Sequence, residues 1–285
     1  MNEFAKVDTG PMAALIVGLI IWFAVPLALA IFWVVKKKDK FTTVFVGALV
    51  FVVFVYILEK PIQNILLFPT QMKLPDTSFS RFFNARPVLL SLILGLFPGV
   101  FEETGRLVAF KTLLKNRKNR ETSVSYGLGH GGVEVMLVLG MSYFTYITYA
   151  FTINSGLFGT VVDEVKALAP EQVPQLYALA SQLAAFSFAD LAGGAMERVF
   201  AVLFHLGASV IVFYACRDRK KFWLYPLAIV LHTALDSITA LYSFGLLNVN
   251  VWVIEGIIAV FGFVTFFLAY FLLYKKDKNA EETVA

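Results

Sequence analysis

The chain has 285 residues, of which 59% are hydrophobic, only 15% are charged, and 29 are Phe. A soluble domain is nearer half apolar and a quarter charged, so the composition excludes an ordinary water-soluble protein. The net charge of +4 does not point to nucleic acid. It sits in four short stretches that each follow an apolar run: KKKDK from Lys36, KNRKNR from Lys115, RDRKK from Arg217 and KKDK from Lys275. These read as membrane anchors, and a single cysteine, Cys216, excludes an intramolecular disulfide.

In chain order, the apolar runs predict seven membrane spans, at roughly 11–35, 42–67, 87–114, 123–152, 194–216, 222–245 and 250–274. The runs are continuous rather than alternating, which excludes a β-barrel. The first run is too long for a signal-peptide core and is followed by KKKDK, a stop-transfer pattern, so it reads as a retained span. The expected fold is therefore all-α: a polytopic helical bundle forming one membrane domain over residues 1–285. With the N-terminus outside and the C-terminus in the cytoplasm, all four basic stretches lie in the cytoplasm, as the positive-inside rule requires. The expected location is a bacterial cell membrane. The Ala-rich string at 177–193 is helical in propensity. If it spanned, the basic loop after Cys216 would fall outside, so we expect a surface or shallow helix ending at Gly193-Gly194.

The informative residues are the ionisable ones inside these spans. All three histidines, His130, His205 and His232, fall within spans. Span three carries Glu102, Glu103 and Arg106 in FPGVFEETGR, and span four carries His130 and Glu134 in GHGGVE. Span five carries Glu197 and Arg198, then His205, and span six carries His232 and Asp236 in LHTALD. Each such group costs at least about 2.5 kcal/mol to place in a bilayer, so it pairs or lines a wet cavity. His130 and Glu134 are four residues apart and share a helix face, as do His232 and Asp236. Arg106 can reach either Glu102 or Glu103. Counted at about 1.5 Å per residue, most of these groups lie about 15–20 Å from the cytoplasmic ends of their spans, and His130 about 10 Å. Four helices thus present polar groups at nearly one level.

Two carboxylates beside one Arg can hold different protonation states, and a Glu beside a His can act as a general base toward water. Imidazoles from separate helices can donate to an oxyanion or ligate zinc. Together these are the parts of a water-activating hydrolase. A proton-coupled transporter uses the same residue types, though no internal repeat is evident. A non-catalytic scaffold with a protease-like core is the third reading. Glu197 and Arg198 read as a structural pair. The glycines at 127, 129, 131 and 132 would let a helix or an extended substrate approach His130.

Glu102-Glu103-x-x-Arg106 on one helix, GHGGxE on the next, a lone His205 and then His232-x-x-x-Asp236 resemble the YhfC family of intramembrane metalloproteases. That family is distantly related to the CAAX prenyl endopeptidases and the PrsW-type and bacteriocin-processing proteases. The resemblance covers about residues 85–245, a four-helix catalytic core. It implies that Glu102 or Glu103 is the general base of an endopeptidase acting on a membrane-associated peptide or protein. His130, His205 and His232 would bind zinc or the oxyanion, and Glu134 and Asp236 would orient imidazoles. Two residues, Thr104 and Gly105, separate Glu103 from Arg106 where the prenyl enzymes have three. The lone His205 replaces their apolar third motif. One member of the wider group, a γ-secretase subunit, is a structural partner rather than a protease.

Overall fold

The computed structural model describes residues 4–277, and among these every regular element is helical. Seven helices are long and apolar enough to cross a membrane: Thr9–Lys37, Phe41–Leu67, Pro87–Leu113, Glu121–Asn154, Phe188–Arg217, Arg219–Ser243 and Val251–Tyr274. We call them spans one to seven. Large apolar side chains stand exposed along them, including Ile20, Val35, Phe45, Val230 and Val260. In water such a surface would aggregate. Against lipid it is the expected exterior, because each helix satisfies its own backbone. The chain is an integral multi-pass membrane protein.

Most expected boundaries hold to within three residues. Span five is the exception: it begins at Phe188, so Gly193-Gly194 lie inside a helix and end none. The break falls at Phe186-Ser187 instead. The Ser187 side chain accepts from the Asp190 backbone N–H at 3.3 Å, while the Asp190 carboxylate accepts from the Ser187 N–H at 2.9 Å. This reciprocal cap starts a helix more firmly than two glycines stop one. The preceding helix, Val173–Ala185, has 13 residues, too few to span. The connections also carry helices that composition alone did not suggest, at Ser78–Asn84 behind a Thr77 capping box and at Phe158–Leu168.

The chain forms two compact units. One comprises residues up to Ala28 together with Glu134–Arg198, and packs Trp22 edge-on against Tyr143 with ring centroids 5.7 Å apart. Its N-terminal strand of chain is tied down by Asn154, which bonds both the N–H and the carbonyl of Val7. The other comprises Leu29–Val133 and the chain from Val199 onward. Its core joins spans two to seven around Phe110, Tyr126, Phe213 and neighbouring aliphatic residues.

Helix separation inside this second unit is set by glycine. A Cβ on Gly129 would collide with the Val44 carbonyl, and one on Gly47 with the Tyr126 carbonyl, so spans two and four touch backbone to backbone. Gly95 and Gly99 do the same for span three against Ser237, Thr233 and Ile229 of span six. Such contacts drive association in lipid, where apolar burial offers little. The room made by Gly127 and Gly129 is therefore filled by spans five and two, not by a substrate.

Candidate functional site

Spans three, four, five and six of the second unit bring seven of the expected residues together, Asp236 and six buried ones. Glu102, Glu103, Arg106, His130, His205 and His232 are all buried, with Arg106, Glu103 and His130 fully so. The Arg106 guanidinium organises the floor. Its Nη1 donates to Glu103 Oε1 at 2.5 Å, Nη2 lies 2.7 Å from His205 Nδ1, and Nε donates to Ser209 Oγ at 3.3 Å. Ser209 in turn donates to the His205 carbonyl at 2.7 Å. A guanidinium only donates, so His205 accepts at Nδ1 and carries its proton on Nε2.

Glu103 is held from two sides, since its Oε1 also lies 2.7 Å from His232 Nδ1. A carboxylate accepts there, which leaves His232 Nε2 as the lone-pair nitrogen when the ring is neutral. That nitrogen lies 3.5 Å from Asp236 Oδ2 and 4.0 Å from Glu102 Oε2. His130 is oriented by Glu102, whose Oε2 is 2.8 Å from Nε2. Its Nδ1 is buried without a hydrogen-bond partner.

The two adjacent glutamates thus have different surroundings. Glu103 is sealed at 0% side-chain exposure, ion-paired and hydrogen-bonded. Glu102 keeps 8% exposure and sits centrally: its Oε2 is 2.8 Å from His130, 3.9 Å from His205, 4.0 Å from His232 and 3.9 Å from Arg106. Asp236, with 34% side-chain exposure, marks the open side.

The donor atoms of Glu102, His130 and His205 lie within 4.8 Å of one another, a spacing compatible with one metal ion. Ligands on tetrahedral zinc, at about 2.0–2.1 Å from the metal, are about 3.3 Å apart. Glu102 fits this set directly, and His130 fits through Nε2 only by giving up the hydrogen it shares with Glu102. His205 fits only by releasing Arg106 from Nδ1 or losing the proton on Nε2. His232 lies outside that group, although Glu103 at its Nδ1 leaves a lone pair on Nε2; all three histidines were expected as ligands. The expected residue Glu134 belongs to the first unit, where its Oε1 pairs with Arg198 Nη1 at 3.3 Å. Arg198 also pairs with Glu197, the structural pairing expected from sequence.

Two participants escaped sequence reasoning. Ser209 is an ordinary small residue in an apolar run, and nothing in sequence marks it. Glu59 is 1% exposed near the end of span two, where the adjacent Lys60-Pro61 makes it look like an interfacial residue.

Span count, burial and polar cluster define a polytopic membrane protein with a Glu/His centre enclosed by its helices. The family model of the YhfC intramembrane metalloproteases matches residues 21–258, and the chain belongs to that family. It is 30% identical over 246 residues, 84% of either chain, to the uncharacterized membrane protein YhfC of Bacillus subtilis (strain 168). No solved structure matches the chain.

Proposed function

We propose that the chain is an intramembrane endopeptidase, that its catalytic core is the four helices within about residues 85–245, and that Glu102 is the general base. The observation that carries this is the asymmetry of the paired glutamates. Glu103 is neutralised by Arg106 and committed to His232, so it orients. Glu102 is accessible and faces three imidazoles, so it can take a proton from water. A water beside Glu102 Oε2 would be within reach of His232 Nε2, and the imidazoles supply donors for the oxyanion formed at a peptide carbonyl. Asp236 steadies His232 from the open side, and Glu103 fixes which of its nitrogens carries hydrogen. Arg106 keeps the floor electrically neutral enough to stay buried.

Zinc is the candidate metal: Glu102, through one carboxylate oxygen, His130 and His205 would hold it, leaving the second Glu102 oxygen as the base, and it would supply Lewis-acid polarisation of the substrate carbonyl. The substrate is a membrane-associated peptide or protein segment, since the Glu/His centre is built from side chains inside membrane-spanning helices. Purified protein in nanodiscs should cleave members of a panel of fluorophore-labelled single-span peptides. The Glu102→Gln variant should lose that activity while keeping its thermal midpoint. Equal cleavage by Glu102→Gln would overturn the assignment. Ion flux in liposomes with no cleavage would instead favour a transporter.

A further inference from the structure

Glu59 is the buried acid this mechanism does not use. It is 1% exposed, yet among the described residues neither carboxylate oxygen has a hydrogen-bond partner. It forms an ion pair with the half-exposed Lys60, with Nζ 3.6 Å from Oε1, too long for a hydrogen bond. A carboxyl group buried with both acceptors empty is costly and awaits a donor.

Its position says where that donor comes from. Span two borders the site: Phe51 lies edge-on to His130 with ring centroids 4.9 Å apart, and Val50 and Phe54 pack on Gly105. Glu59 ends the π-helical stretch Val52–Glu59, a departure from α-helix that is frequent at functional sites. The charges of Glu102, His232 and Asp236 as well as Lys60 reach it, which puts it in the neighbourhood of the cluster. It is absent from the group whose donor atoms lie within 4.8 Å, so it does not share an ion with Glu102 and His130. It is placed for a ligand that extends from the reacting position rather than for the reacting atom.

We propose that Glu59 is a positioning residue that accepts hydrogen bonds from backbone N–H groups of an extended peptide bound against Glu102. This rests on the endopeptidase reading. Chemistry at a peptide carbonyl requires the substrate helix to open locally. Inside a membrane protein, each N–H released then needs a new acceptor. The two carboxylate oxygens, without hydrogen bonds among the described residues, supply it.

The test uses full-length protein on a Glu102→Gln background, so that binding is read without turnover. Binding of the labelled single-span peptides in nanodiscs is measured by anisotropy. Adding Glu59→Leu should weaken binding by about tenfold or more, the effect of losing one charge-assisted hydrogen bond. Glu59→Gln should stay within about threefold, because its amide oxygen still accepts. N-methylation at one backbone position of the peptide should weaken binding to the Glu59 protein but not further weaken binding to Glu59→Leu. In active protein, KM should rise with kcat held.

Unchanged binding by Glu59→Leu, a Glu59→Gln variant as weak as Glu59→Leu, or binding of no peptide at all would overturn the inference. Glu59→Met fills the same space and serves where the leucine variant folds poorly. Peptide binding that depends on Glu59 without cleavage by the unsubstituted protein would sink the endopeptidase reading and leave this inference standing.

Discussion

Each of the two units contains an arginine set between two glutamates, and the two triads behave differently. In the first unit Arg198 pairs with Glu134 and Glu197, at side-chain exposures of 18%, 16% and 31%. In the second, Arg106 pairs with Glu102 and Glu103 at 0%, 8% and 0%, and three histidines and a serine share the same space. The ionic partners are the same. What separates them is desolvation and the presence of groups that move protons or ligate metal. A partly exposed Arg–Glu triad is a tie between elements. The same triad sealed among imidazoles holds a charge imbalance that chemistry can use.

The comparison breaks most sharply at the arginines. Arg106→Leu leaves two buried carboxylates without their cation and should cost about 3–5 kcal/mol, read as loss of the folded state in thermal unfolding in detergent. Arg198→Leu, in the better-solvated triad, should cost about 1 kcal/mol or less by the same measurement. Equal losses would mean that burial does not distinguish the two.

The glutamates sharpen it next. Glu102→Gln should reduce peptide cleavage by about 10²–10⁴-fold with little change in thermal midpoint. Glu103→Gln should lower both, because Oε1 accepts from Arg106 and His232 together. Glu134→Gln should change cleavage by no more than about threefold, since its partner is Arg198; a loss as large as that of Glu102→Gln would return Glu134 to the site.

Metal content gives a further division. If zinc co-purifies stoichiometrically, His130→Ala and Glu102→Ala should remove it, while His232→Ala should retain most of it, as measured by plasma emission. Retention by His130→Ala would contradict the ligand set. Packing gives another test: Gly129→Ala, which must push the Val44 backbone away, should cost about 1–3 kcal/mol and drag activity down with stability.

Much of this was legible before any coordinates. The seven spans were readable because a bilayer demands about 20 consecutive apolar residues, a local property that neighbours cannot override. Glu102, Glu103, Arg106, His130, His205 and His232 stood out because ionisable groups inside such runs are expensive and must meet. The start of span five was misplaced at the glycines, although Ser187 and Asp190 carry a readable cap. A short capping signal in an Ala-rich stretch competes poorly with two adjacent glycines.

By itself, then, the sequence determined that this is a helical membrane protein with polar groups from four spans at one depth, because lipid tests every residue along a span in the same way. Only tertiary structure decided which glutamate is committed to Arg106, which imidazole nitrogens carry hydrogen, that Glu134 ties to Arg198, and that Glu59 is buried. Those outcomes depend on how each helix is rotated and how closely glycine contacts let it approach. No spacing along a single helix contains that information.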